Sequence, residues 1–108
     1  MPARESLTSA QRKRLRGLAH DLKPLVRLGK AGLTAAALAQ IDKELADHEL
    51  VKVRLPSGAD LVGKVPKREL VAEIERDARC GSAGVVGLIA ILYRPHADPK
   101  KREIDPGK

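Results

Sequence analysis

Residues 25–34, "LVRLGKAGLT", pass from an extended run into the start of a helix across two glycines that enclose a lysine and an alanine. "LVRL" reads as a short strand, with Val26 and Leu28 on one face and Leu25 and Arg27 on the other. The next stretch, "TAAALAQIDKELADHE", places Ala37, Leu38, Ile41 and Leu45 on one helical stripe, with Thr34 at its N-cap. A strand feeding a helix through Gly-Lys-Ala-Gly has two readings. One is a tight turn. The other is a platform for an anion, because glycine lets backbone approach a ligand without a Cβ in the way. The first N–H groups of the helix lack intrahelical partners and carry the positive end of its dipole. Lys30 inside the loop and Arg27 before it add full charges. The pattern alone leaves both readings open.

Working outward, "LTSAQRKRLRGLAHDLKP" (7–24) predicts a first helix. Thr8 and Gln11 have capping-box spacing, and Leu15, Leu18, Ala19 and Leu22 form its apolar stripe. Pro24 ends it, and Gly17 inside it costs up to roughly 1 kcal/mol relative to alanine. On the other side, "LVKVRL" (50–55) alternates, with Val51, Val53 and Leu55 facing one way and Leu50, Lys52 and Arg54 the other. "PSGAD" (56–60) is a loop by composition. Residues 64–79 predict a third helix with Pro66 in its first turn and Leu70, Val71, Ile74 and Ala78 buried. "AGVV" and "IAILYR" flank Gly87-Leu88, the signature of a type II′ hairpin. The order helix-strand-helix-strand-helix-strand-strand gives an α/β fold: a two-layer single domain over residues 4–96 with a four-stranded mixed sheet. The tail, 97–108, is polar and aperiodic and is expected to hold little fixed structure.

At 108 residues and 43% hydrophobic, the chain suits one domain with a modest core. The single cysteine, Cys80, cannot form an internal disulfide and reads as a small side chain near a turn. His20, His48 and His96 show no metal-ligand spacing, and no catalytic set of carboxylates, hydroxyls or thiols can be assigned, so no metal, cofactor, small-molecule substrate or enzymatic activity is expected. The uncharged run 80–93 is too short to cross a bilayer, and residues 1–17 lack the apolar stretch of a signal peptide. A cytoplasmic protein without membrane attachment is the expectation.

The net charge of +7 is unevenly distributed. Residues 1–30 carry eight basic and two acidic side chains, whereas 31–63 carry three and five. Concentrated basic charge points to a polyanion. Arg12, Lys13 and Arg16 on the first helix could follow phosphates, with Lys23 at its end beside the loop. Lys52 and Arg54 on the strand are further candidates, with salt bridges to nearby acids as their ordinary alternative. Tyr93 is the only aromatic residue, so no platform of exposed rings exists for stacking bases.

"LAHDLKPLVRLGKAGLT", "HELVKVRL" and "VGLIAILYRP" together resemble the CRM-domain proteins of the bacterial YhbY type, from about Leu7 to Pro95. The resemblance implies a fold similar to the C-terminal domain of translation initiation factor three. It also implies a non-enzymatic RNA-binding protein associated with precursors of the large ribosomal subunit. The GxxG loop (Gly29, Lys30, Ala31, Gly32, with Thr34 following) would be the RNA contact, as in KH domains. Phosphate contacts and RNA shape would dominate over base readout. The competing function is a small basic DNA-binding or nucleoid protein, which would need a recognition helix or basic arm. A monomer is the default expectation.

Overall fold

The computed structural model describes residues 7–57, 66–104 and 106. Its first helix, α1 (Ser9–Ala19), opens on the capping box implied by the Thr8–Gln11 spacing. Thr8 Oγ1 accepts the Gln11 N–H and Gln11 Oε1 accepts the Thr8 N–H, each at 3.0 Å. The helix stops well before Pro24. Its end is held instead by Lys52, whose ammonium donates to the carbonyls of His20 (3.1 Å) and Leu22 (2.9 Å). Of the expected stripe only Leu15 and Ala19 are buried; Leu18, inside the helix, and Leu22, beyond its end, are exposed.

Strand β1 (Val26–Arg27) leads through the glycine loop to α2 (Ala35–His48), where Thr34 Oγ1 caps the Ala37 N–H at 3.1 Å. Then come β2 (Leu50–Arg54), α3 (Lys67–Ala78), β3 (Gly81–Val86) and β4 (Ile89–Tyr93). Pro66 is the N-cap of α3, one position earlier than a first-turn proline, and Leu70, Val71, Ile74 and Ala78 are its buried stripe as expected. The end of the 56–60 loop and the expected helix start at 64 lie outside the described residues. Gly87 has φ +61° while Leu88 has a negative φ, which is what a type II′ turn requires.

The sheet is mixed, in the order β1-β2-β4-β3: β1 runs parallel to β2, and β4 is antiparallel to both β2 and β3. The α/β class, the single domain and the four-stranded mixed sheet match the sequence reading. The layering does not. Val51, Val53, Leu55, Ala90 and Leu92 pack under α2 and α3, whereas Leu50, Ile91 and Tyr93 pack with Leu15 and Ala19 of α1 on the opposite face. Helices therefore cover both faces, making three layers. The cause is visible in β4, where "IAILY" is apolar at every position and so needs cover on both sides.

The tail is more fixed than its composition implies. Glu49 ends α2 with φ +65° and is 3% exposed. Its Oε2 accepts the His96 N–H at 2.9 Å, and its Oε1 accepts the N–H groups of Glu103 (2.6 Å) and Ile104 (3.2 Å). Residues 99–101 form one 3-10 turn, and Ile104 packs against the cluster beneath α1. Arg94, just past β4, binds Asp42 on α2 and the Ala78 carbonyl that ends α3, which locks the two helices to the sheet.

Candidate functional site

The glycine loop is a single tight turn. The Gly32 N–H donates to the Gly29 carbonyl at 2.9 Å, and Lys30 and Ala31 at its tip are exposed. The two glycines have different reasons to be there. Gly32 has φ +70°, where a Cβ is disfavoured. Gly29 has no such φ, and a Cβ built on it would meet nothing within 4 Å. The fold asks for glycine at 32 and does not ask for it at 29.

The loop opens directly onto the N-terminus of α2. Thr34 occupies the third N–H of that helix, at Ala37, leaving the earlier ones at Ala35 and Ala36 without an intrahelical acceptor. Beside the loop, Arg27 and Arg54 are direct partners across the parallel β1–β2 pair, and both are exposed. Neither has a carboxylate partner among the described residues. Leu28 donates its N–H to the Arg54 carbonyl at 2.9 Å, which fixes the loop stem against the end of β2. Arg27, Gly29, Lys30, Ala31, Gly32, Thr34 and Arg54 are thus gathered at one end of the sheet.

The remaining candidates are placed differently. Lys52 shares the sheet face of Arg54, but two of its three donors serve the end of α1 and not an acid. Lys23 is exposed on the connection from α1 to β1. Arg16 points to the far edge of the sheet, donating to the Ala83 carbonyl on β3 at 2.7 Å. Its stem lies 3.3 Å from where a Cβ would stand on Gly84, whose φ is +141°. Three strand spacings, about 14 Å, separate that edge from β1. Arg12 and Lys13 lie a turn further back on α1. The first-helix cluster and the loop do not form one compact patch. Sequence reasoning missed a groove beneath the end of α1, lined in part by Gly17, His20 and Asp21; the helix-interior glycine was its one sequence signal.

Cys80 is fully buried, and its thiol is pushed up to about 12, chiefly by burial and then by the nearby Glu75 carboxylate, with Arg94 acting the other way. Such a thiol is not a nucleophile near neutral pH. Among the described residues no cluster of three His, Cys, Asp or Glu is placed to hold a metal, and no helix is long and apolar enough to cross a membrane.

Comparison with known proteins follows the same outline. A family model described as the CRS1 / YhbY (CRM) domain matches residues 7–94. A Haemophilus influenzae protein named as RNA-binding is 39% identical over 95 residues, spanning 88% of this chain and 92% of its own. A Pseudomonas aeruginosa protein named as a probable RNA-binding protein is 33% identical over 96 residues, spanning 89% and 88%. The solution structure of the Staphylococcus aureus protein SAV1595 superposes with a TM-score of 0.74 at 30% identity, covering 92% of this chain and 99% of that one.

Proposed function

The chain belongs to the CRS1/YhbY (CRM) domain family, and from that footing we propose that it is a non-enzymatic RNA-binding protein that acts in assembly of the large ribosomal subunit. The observation that carries the binding mode is the Arg27–Arg54 pair. Two exposed guanidinium groups stand in register beside a tight, exposed glycine loop, with no carboxylate facing them among the described residues. Like charges directly opposite each other on a sheet are unfavourable, and a phosphate between them reverses the sign. The loop backbone, Lys30 and the Ala35 and Ala36 N–H groups, which have no intrahelical acceptor, then offer donors to a neighbouring phosphate. The protein works as a monomer in the cytoplasm and recognises precursor large-subunit RNA mainly through its backbone.

The binding half is tested by fluorescence anisotropy with a structured RNA and a DNA duplex at equal salt. About five phosphate contacts give a log–log salt slope on the order of −4 to −5, with RNA bound more tightly. Affinity that ignores salt, or tighter binding to duplex DNA, would refute this half. The ribosomal half is tested on a low-salt sucrose gradient of a cell lysate. Migration with free large subunits or their precursors, lost in the Lys30→Asp, Ala31→Asp double variant, is the expected result. A protein that stays at the top of the gradient would refute it.

A further inference from the structure

The face of the sheet under α1 is only partly covered. Past the end of the helix lies a groove of about 590 Å³, a volume within the range of small-molecule sites. Ile89, Ile91 and Val86 contribute its apolar lining. Gly17, His20 and Asp21 line it from the side of the helix, and Lys52 lines it from β2. The groove is continuous with the basic end of the sheet through the ladder itself. Arg27 pairs with Arg54, Arg54 with Ile89, and Ile89 with Val86, so one cross-strand row runs from the two arginines to the groove. Two strand spacings, about 10 Å, separate the Arg27 and Ile89 backbones, a span that one nucleotide and an arginine side chain can bridge.

Gly17 is the second observation. Glycine is among the poorest residues for a helix interior, and α1 gives no reason to have it. Its φ is not left-handed, and a Cβ built there would meet nothing within 4 Å. What a side chain at 17 would occupy is groove.

We propose that this groove receives an unpaired nucleobase of the bound RNA while the adjoining phosphate lies on Arg27 and Arg54. The inference rests on the RNA-binding reading given above. The base lies against aliphatic side chains, which takes the place of the aromatic platform this chain lacks. Lys52, with one N–H left after serving the two helix carbonyls, offers a donor to the base edge, and Asp21 offers an acceptor. The cationic surroundings match a polyanion, and the apolar lining matches the flat face of a base.

The test uses two short single-stranded RNA oligomers of equal length and equal phosphate count, one fully based and one with a central run of abasic nucleotides. The full chain and its Gly17→Leu variant are titrated with both. The substitution alters no charge and replaces a poor helix former, so its melting temperature is expected at or above that of the wild type. The wild type is expected to bind the based oligomer about tenfold more tightly than the abasic one, comparable with the loss of one stacked base. Gly17→Leu is expected to abolish that difference and leave abasic binding and its salt slope unchanged. Equal wild-type affinity for both oligomers, with a steep salt slope, would overturn the groove assignment and leave phosphate binding standing. Discrimination that survives Gly17→Leu would also overturn it. Failure to bind either oligomer by protein that binds the structured RNA would overturn this inference and leave the RNA reading standing; failure to bind all three would refute both.

Discussion

Alanine substitutions at the two loop glycines are expected to have opposite effects on folding and binding. Gly32 sits at φ +70°, and an L-residue there costs about 1–2 kcal/mol in backbone strain. For a domain of this size each kcal/mol shifts the midpoint by about 4–8 °C, so Gly32→Ala is expected to melt about 5–15 °C lower. Gly29 has ordinary φ and open space around its missing Cβ. Gly29→Ala therefore folds as well as the wild type, or better by about 0.4–1 kcal/mol through a stiffer unfolded chain. Its cost falls on binding. A methyl group on that exposed backbone holds a phosphate away from the loop N–H groups, and losing one such charge-assisted contact weakens RNA binding by about tenfold. The assays are a thermal melt followed by circular dichroism and an anisotropy titration at fixed salt. If Gly29→Ala melts like the wild type and binds RNA with the same affinity, the loop backbone is not a contact and the turn holds no phosphate. If Gly29→Ala melts far below the wild type, the loop geometry itself is wrong.

Two other perturbations probe the frame around the site. Glu49→Gln leaves one oxygen for three backbone donors and sets an amide N–H₂ against the rest. A destabilisation of about 2–4 kcal/mol is expected, together with faster tryptic cleavage after Lys100, Lys101 and Arg102 as residues 96–104 come free; an unchanged melt and unchanged cleavage would show that the carboxylate does not hold the tail. Cys80 keeps its proton in the folded state up to about 12, whereas in the unfolded chain it titrates near 9.0. The folded state holds the extra proton, so the Cys80 contribution is intact below pH 9 and falls as pH rises from there toward 12. A Cys80→Ala variant is expected to lose that part of the alkaline decline. In the native wild type, a thiol reagent at pH 8 is expected to react only as fast as the protein unfolds.

Much of the frame is legible because it is local. The Thr8–Gln11 box, the Thr34 cap, the alternation along 50–55, the stripe of α3 and the Gly87 turn all depend on residues within a few positions of one another. The layer of α1 was harder to read, because nothing in its own stripe says which sheet face it covers; that information sits in the unbroken apolar run of β4, about seventy residues away. Glu49 stands in the sequence only as part of "HELVKVRL", with nothing to show what it holds. Its partners are backbone N–H groups 47 to 55 residues further on, and a backbone donor is the same whatever its side chain. The basic cluster was legible as charge but not as a surface. Arg16 and Lys52 look like their neighbours in the sequence, yet the structure uses both to satisfy carbonyls.

That division of labour among the cations sharpens what remains for a ligand. The fold uses Arg16 at the Ala83 carbonyl, Lys52 at the end of α1, Arg94 between α2 and α3, and Lys67 at the Gly87 carbonyl. Among the described residues, Arg27 and Arg54 do no comparable work. They face each other across the sheet, where opposition of like charge costs the free protein a few tenths of a kcal/mol. A residue pair that slightly weakens the fold and has no acceptor among the described residues is a cost that binding can offset. Arg54→Gln removes the repulsion while keeping a long polar side chain on the strand. At low ionic strength it is expected to melt slightly above the wild type, and the gain is expected to vanish near 1 M salt, where screening reaches about 3 Å. The same variant is expected to bind RNA more weakly, with a salt slope shallower by about one. An Arg54→Gln protein that binds RNA with the wild-type slope would refute the role assigned to the pair, because the repulsion would then be a cost with no return at that surface.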